Sequence, residues 1–184
     1  MEKTAVMFLA DGVEECEALI VVDVLRRAGV EVIMASVMGR KEIRSVHGVG
    51  ILTDALAEDV DFDAADMVIL PGGFDGTEVL GKSELVKAQC RSFAEDRLVA
   101  AICATPGILA GLGLLDGKRV ACHPAVEEKM KGAVLTGEGV TRDGNIITGK
   151  SLGTAFPFAL KLVEACADAD TAAEIAGSIF YNWK

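Results

Sequence analysis

The stretch "LVAAICATPGILA" at residues 98–110 decides the fold and also raises the functional question. Its apolar first half predicts a strand buried on both faces of a parallel sheet, and Pro106 suits the first turn of a helix. Cys103 falls at the sharp turn between them, among small neighbours, as in the elbows that expose a nucleophile. Free cysteine is also among the most buried residue types, so the pattern alone leaves a packing role equally open.

Strands and helices alternate along the rest of the chain in the same way. Apolar or alternating runs at 4–10, 30–37 and 66–73 predict strands, a serine-capped helix follows at 83–97, and "VTRDGNIITG" predicts a hairpin. This alternation indicates an α/β fold with a doubly wound, mostly parallel sheet sandwiched by helices, in one domain over residues 1–184. The loops "ADGVEECE", "PGGFDG" and "CATPG" each follow a strand, so they should converge at one sheet edge.

Composition and charge exclude several classes of protein. The net charge is −10 and no lysine or arginine cluster interrupts it, which disfavours nucleic acid or an acidic membrane as a partner. No run approaches the roughly 20 apolar residues that span a bilayer. The five cysteines are irregularly spaced and predict no disulfide framework, so we expect a reduced, cytoplasmic protein.

The first helix has acidic residues at its start and apolar residues along its length. We expect its buried stripe to consist of Cys16, Leu19, Ile20, Val24 and Ala28. Three cysteines in helical patterns are interpreted as packing residues: Cys16, Cys90 and Cys166. Acidic residues at a helix start usually only complement the helix dipole. If Glu17 instead turns inward, desolvation would keep it protonated, and it could donate a proton to Cys103.

The other candidate site residues surround the same cysteine. The helix after Cys103 should stabilise a thiolate and lower its pKa toward neutrality. An oxyanion formed there could be held by the Ala104 amide and by that of Gly72 or Gly73. His123 could be a general base or an ordinary loop histidine. No metal-ligand spacing or dinucleotide-binding loop is present, so no metal or cofactor is expected.

Together these pieces resemble the ThiJ/PfpI superfamily, and within it the DJ-1 branch. The matching segments are "LADGVEECEALIVVDVLRRAG", "VILPGG", "VAAICATPGILA", "HPAVEEKM" and "GTAFPFALKLVEA", which are in the family's order and span nearly the whole chain. The resemblance implies a flavodoxin-like sandwich and a homodimer, with Arg27 near the dimer contact. It also implies a set of site residues: nucleophile Cys103, buried acid Glu17, His123, and oxyanion-hole amides at Gly73 and Ala104. Thr105 and Leu152 depart from the family pattern.

The leading functional hypothesis is a cofactor-independent cysteine enzyme of the glyoxalase III or deglycase type. It would act on reactive dicarbonyls such as methylglyoxal, through a Cys103 hemithioacetal with Glu17 as proton shuttle. The alternative is an oxidative-stress-responsive sensor or chaperone-like protein that uses oxidation of Cys103. A cysteine peptidase ranks third, because no acidic residue clearly completes a triad with Cys103 and His123.

Overall fold

The computed structural model describes residues 3–182, in which strands and helices alternate as expected. The strands are β1 (Thr4–Leu9), β2 (Glu31–Ser36), β3 (Glu42–Arg44), β4 (Gly50–Leu52), β5 (Ala55–Leu56), β6 (Met67–Leu70), β7 (Leu98–Ile102), β8 (Arg119–Val120), β9 (Val134–Leu135), β10 (Val140–Asp143) and β11 (Ile146–Gly149). The α-helices are α1 (Glu15–Arg27), α2 (Phe74–Lys82), α3 (Glu84–Asp96), α4 (Pro106–Gly111), α5 (Ala155–Cys166) and α6 (Ala169–Ser178).

The main sheet has seven strands in the order β10-β11-β7-β6-β1-β2-β5. All neighbouring pairs are parallel except β10 and β11, which form the predicted antiparallel hairpin. When the edge strands β5 and β10 are left out, the other five strands of this sheet can be renumbered 1 to 5 along the chain. Their order is then 2-1-3-4-5, as in flavodoxin-like folds. The predicted fold class is therefore confirmed.

The core lies on both faces of this sheet. Every residue of β6 is buried, and so is every residue of β1 after Thr4, which explains why these strands are continuous apolar runs. Crossovers between parallel strands are right-handed, so helices on connections that run in opposite directions along the sheet cover opposite faces. Helices α1 and α5 pack against each other, while α3 packs on β6 and β7. The order reverses between β1 and β6, and a crevice forms at their carboxyl ends.

Helix α1 is rotated relative to the prediction. Its buried residues are Glu17, Ala18, Val21, Val22, Val24 and Leu25. Of the predicted stripe only Val24 is fully buried; Leu19 is 39% exposed, and Cys16 is exposed rather than a packing residue. The prediction was wrong because apolar residues occupy both sides of this helix, and the side that carries Glu17 faces the sheet.

Several local predictions are confirmed, and one helix was missed. As predicted, the Ser83 hydroxyl accepts a hydrogen bond from the Val86 N–H (3.3 Å) and caps α3. In addition, β3 and β4 form an antiparallel pair. Cys90 is buried as expected, and Cys166 is half-buried. Helix α2 was not predicted: the segment "PGGFDG" was interpreted as a loop, and "FDGTEVLGK" contains two glycines and little apolar periodicity. Within residues 3–182, no helix combines the length and the apolar character that crossing a membrane requires.

Candidate active site

Two of the three predicted loops are joined by backbone hydrogen bonds. The N–H of Glu14 donates to the carbonyl of Gly72 (2.9 Å), and the N–H of Gly76 donates to the carbonyl of Gly12 (3.0 Å). Gly73 has a φ of +91°, and a side chain there would run into the backbone of the loop after β1. Glycine is therefore required where the loops after β1 and β6 approach each other.

Cys103 lies at the end of β7 in a backbone conformation that few residues other than glycine adopt. Its φ is +67°; among residues 3–182, only Phe180 shares a positive φ without being glycine. Its N–H donates to the carbonyl of Gly149 (2.9 Å), and its own carbonyl accepts from the N–H of His123 (2.8 Å). Hydrogen bonds to two other segments of the chain therefore hold the turn. The predicted elbow is present. Strained backbone of this kind is concentrated at functional sites, where surrounding contacts impose it.

The side chain of Thr105 holds the elbow in place by hydrogen bonds. Its side chain is fully buried, and its hydroxyl is hydrogen-bonded to the carbonyls of Leu70 (2.9 Å) and Ile102 (2.8 Å) and to the N–H of Ile102 (3.1 Å). One hydroxyl thus connects the ends of β6 and β7. These are the two strands from which Gly73 and Cys103 emerge.

Glu17 points into the site from the first turn of α1 and is only 1% exposed. The Gly72 N–H donates to its Oε2 (2.9 Å), and its carboxyl is also hydrogen-bonded with Cys103 and the backbone of Leu152. Burial raises the pKa of Glu17 from 4.5 to about 7, and the charge of Glu14 adds to the rise. Glu17 therefore exchanges its proton near neutral pH, and the inward orientation required by the hypothesis is present.

The thiol of Cys103 does not have the lowered pKa that the sequence predicted. Burial raises its pKa to about 11, and the charge of Glu17 adds to the rise, while backbone hydrogen bonds from Gly73 and Ala104 act in the opposite direction. The expectation of a thiolate at rest was wrong, because burial and the adjacent carboxylate outweigh the amides. In the resting site at neutral pH, the thiol keeps its proton and Glu17 is the group that titrates.

Gly72 lies between the acid and the thiol, and its lack of a side chain makes their contact possible. A Cβ built on Gly72 would collide with the Glu17 carboxyl and would lie 2.5 Å from Cβ and 3.0 Å from Sγ of Cys103. The sequence left open whether Gly72 or Gly73 supplies the second oxyanion amide. The Gly72 N–H is used by Glu17, so the amides directed at Cys103 are those of Gly73 and Ala104.

His123 is placed beside Cys103 through its backbone, and its ring is oriented by two contacts. Its Nδ1 accepts a hydrogen bond from the Ala125 N–H (3.1 Å), and the ring meets Phe74 edge to face at 5.4 Å. Because a backbone N–H can only donate, the neutral imidazole carries its proton on Nε2. The geometry therefore suits a hydrogen-bond donor at Nε2 better than the general base considered from the sequence.

The other histidine belongs to a separate cluster on the surface. His47 Nδ1 lies 2.9 Å from Glu15 Oε1, and Glu14 brings a third potential ligand atom, all within 4.8 Å of one another. Only His47 of this cluster is exposed, and such groups of acidic residues are common without a metal, so we assign none to them. Sequence reasoning did not predict two contacts of the site: the hydrogen bonds of the Thr105 hydroxyl and the backbone contact of Leu152 to Glu17. The signal in the sequence was that both residues were noted as departures from the resembled family.

Comparison with known proteins shows the family to which the chain is related. A model of the DJ-1/PfpI family matches residues 3–165. Protein dj-1beta of Drosophila melanogaster is 38% identical to this chain, and the match covers 99% of this chain and 100% of the relative. A glutathione-independent glyoxalase, DJR-1.2 of Caenorhabditis elegans, is 35% identical, and the match covers 89% of this chain and 88% of the relative. The crystal structure of the Drosophila protein superposes with a TM-score of 0.95 (37% identity, 100% of both chains). That of oxidized Toxoplasma gondii DJ-1 gives 0.93 (31% identity, 98% and 100%).

Proposed function

This chain belongs to the DJ-1/PfpI family, and from that premise we propose that it is a cofactor-independent enzyme of the glyoxalase III or deglycase type. Its substrates are small reactive dicarbonyls such as methylglyoxal, or their early adducts on proteins. One observation carries the proposal: a buried carboxyl with a pKa of about 7 is hydrogen-bonded with a thiol on a strained elbow. A proton acceptor with a pKa near the working pH is what acid–base catalysis requires.

Glu17 activates the nucleophile in the first step. Its carboxylate takes the thiol proton as the sulfur of Cys103 adds to the aldehyde carbon, and the N–H groups of Gly73 and Ala104 hold the resulting oxyanion. Glu17 then returns the proton to that oxygen, which completes the hemithioacetal. This order of events removes the difficulty of the raised thiol pKa, because no free thiolate has to exist before substrate arrives.

Glu17 moves the second proton as well. Its carboxylate removes the hydrogen of the former aldehyde carbon as a proton, and the electron pair passes to the neighbouring ketone oxygen, which gives an enediolate. Glu17 returns this proton to the former ketone carbon, and the hydroxyl proton of the former aldehyde carbon passes to the other oxygen. The ketone carbon is thereby reduced to a carbinol while the former aldehyde carbon is oxidised to a thioester. The Nε2–H of His123 is a donor for the developing enediolate oxygen. Water then hydrolyses the thioester, releasing a hydroxyacid such as lactate and restoring the thiol.

Methylglyoxal consumption with lactate detection tests this proposal. We expect no lactate from Cys103→Ser and at least about a 100-fold lower kcat for Glu17→Gln. Cys166→Ser is the matched control, because Cys166 lines a cavity with Lys3 and Asp66 at the amino ends of the strands, away from the site. An inert wild-type enzyme, or a Cys103→Ser variant as active as wild type, would overturn the proposal.

A second function, sensing of oxidants, is favoured by the same hydrogen bond. A protonated Glu17 can donate to a sulfinate formed on Cys103, which would stabilise that oxidation state. The structural neighbour from Toxoplasma gondii was solved in an oxidized form. Intact mass after mild peroxide treatment distinguishes the two functions: a gain of two oxygens confined to Cys103 supports sensing, whereas oxidation spread over all five cysteines argues against it.

We also propose a homodimer in the cytoplasm. The dimer is what the family resemblance implies, and exposed Leu19 and Cys16 on α1 would lie in the contact. Arg27 lies on the same helix and pairs with Asp23 (2.7 Å). The unpaired thiols suit a reducing compartment. Light scattering of the purified protein tests the dimer, and a monomeric mass for wild type would remove it.

A further inference from the structure

A cavity of about 630 Å³ adjoins the candidate active site, on the side of Ala104. Its walls come from α2, α3, α4 and the 3₁₀ segment after His123, and Ala104 connects it to the proposed oxyanion position. We propose that this cavity holds an oxyanion tail, carboxylate or phosphate, of a dicarbonyl substrate whose aldehyde reacts at Cys103. The inference rests on the proposed function and specifies its substrate class.

The cavity is positively charged in a chain that is otherwise acidic. Three lysines line it, Lys82, Lys87 and Lys129, against one carboxylate, Glu78, while the chain as a whole has a net charge of −10. Lys82 is paired with Glu78, and Lys87 with Glu84. Lys129 has no carboxylate partner among residues 3–182. A cavity whose charge is opposite in sign to the whole molecule concentrates anions locally.

A buried hydroxyl in the same wall also lacks a partner. Within the described part of the chain, the Oγ1 of Thr77 is shielded from solvent and makes no hydrogen bond. A buried hydroxyl without a partner is costly, and a bound ligand oxygen would remove that cost. Thr77 lines the same cavity as Lys82, five residues earlier on α2, and a rotation of its side chain toward the cavity would present this hydroxyl to the tail.

The cavity has room for a substrate larger than methylglyoxal. Its volume falls within the range of about 300–1,000 Å³ typical of ligand pockets, so the tail of a five-carbon dicarbonyl fits. Three glycines line it: Gly81, Gly107 and Gly111. A Cβ on Gly111 would meet no atom within 4 Å, so a side chain introduced there would extend into open space.

Two matched substrates test the charge requirement: 4,5-dioxopentanoate, which carries a carboxylate, and its neutral amide. We expect a higher kcat/KM for the acid, and a drop of roughly two- to five-fold in the acid-to-amide ratio for Lys129→Gln. Lys131→Gln is the control, because Lys131 is an exposed lysine two residues away that does not line the cavity. An acid-to-amide ratio that is the same in wild type and Lys129→Gln overturns the inference.

A second variant tests the space rather than the charge. Gly111→Leu should lower kcat/KM for both five-carbon substrates by a larger factor than for methylglyoxal. The same fold-change relative to wild type on all three compounds would show that the substrate does not enter the cavity. Inhibition of 4,5-dioxopentanoate turnover by acetate and by inorganic phosphate, at fixed ionic strength, shows which oxyanion the lysines prefer; inhibition by neither argues against the site.

A binding measurement separates this inference from the proposed function. A chemical-shift titration with 4-oxopentanoate and with 4-oxopentanamide needs no turnover. If methylglyoxal is not consumed but the acid binds more tightly than the amide, and Lys129→Gln abolishes the difference, the proposed function fails and the anion site stands. If acid and amide bind equally to an enzyme that consumes methylglyoxal, the anion site fails and the proposed function stands.

Discussion

Replacing Glu17 with glutamine should change how the stability of this protein depends on pH. The unfolded chain titrates Glu17 near its ordinary pKa of 4.5, whereas burial raises the pKa in the folded state to about 7. Between these values the folded protein binds the extra proton, so this group's contribution is complete below pH 4.5 and is lost as pH rises through 7. Each pH unit is worth about 1.4 kcal/mol, so the loss amounts to about 3 kcal/mol.

Glutamine imitates the protonated acid, since its carbonyl can accept from Gly72 and its amide can donate to Cys103. Urea denaturation at a series of pH values from 4 to 8 measures the difference between variant and wild type. We expect the two to be nearly equal at pH 4, and Glu17→Gln to be more stable by about 3 kcal/mol at pH 8. Glu95→Gln, at an exposed position on α3, controls for the loss of one negative charge. Parallel stability curves for Glu17→Gln and wild type would refute the raised pKa.

Two further substitutions examine how the elbow is held. Gly72→Ala should cost about 1–3 kcal/mol in unfolding free energy and abolish activity, because its Cβ would lie 2.5 Å from that of Cys103; a wild-type melting curve with full turnover would contradict the packing. Thr105→Val should also cost about 1–3 kcal/mol, since it leaves the Leu70 carbonyl and the Ile102 N–H buried without this partner. Thr105→Val should also change the rate at which iodoacetamide alkylates Cys103. Thr105→Ser keeps the hydroxyl, so its stability and its alkylation rate should equal those of wild type. Equal alkylation rates in Thr105→Val and wild type would show that the hydroxyl does not position the thiol.

The sequence was informative about the sheet because a parallel strand covered on both faces has to be apolar throughout. Runs such as "VMFLA" and "MVIL" therefore predict their own burial, and the alternation with helices predicts the winding. The orientation of α1 could not be predicted in this way. Both of its sides carry apolar residues, and periodicity assigns a charged residue such as Glu17 to the surface. Only the tertiary structure shows that its carboxyl is bound by the Gly72 N–H.

The pKa of Cys103 shows a second limit of sequence reasoning. A turn before a helix predicts a stabilised thiolate when the peptide N–H groups act alone. How deeply the thiol is buried, and how close an acid lies to it, are properties of the folded chain. Here both raise the pKa, and they outweigh the amides of Gly73 and Ala104. The residues of the site could be predicted from the pattern, but its resting protonation could not.

Three features of the site are each unfavourable when considered alone. A buried Glu17 destabilises the fold above neutral pH, a positive φ at Cys103 costs of order 1–3 kcal/mol, and Gly72 adds conformational freedom to the unfolded chain. None of them improves the packing of the core. Together, however, they form one contact: the strained elbow brings the thiol of Cys103 to the acid, and the missing side chain of Gly72 leaves room for the two groups to meet. Removing the buried charge with Glu17→Gln should therefore stabilise the fold above neutral pH while removing chemistry, which is the trade expected of an active site rather than of a packing cysteine.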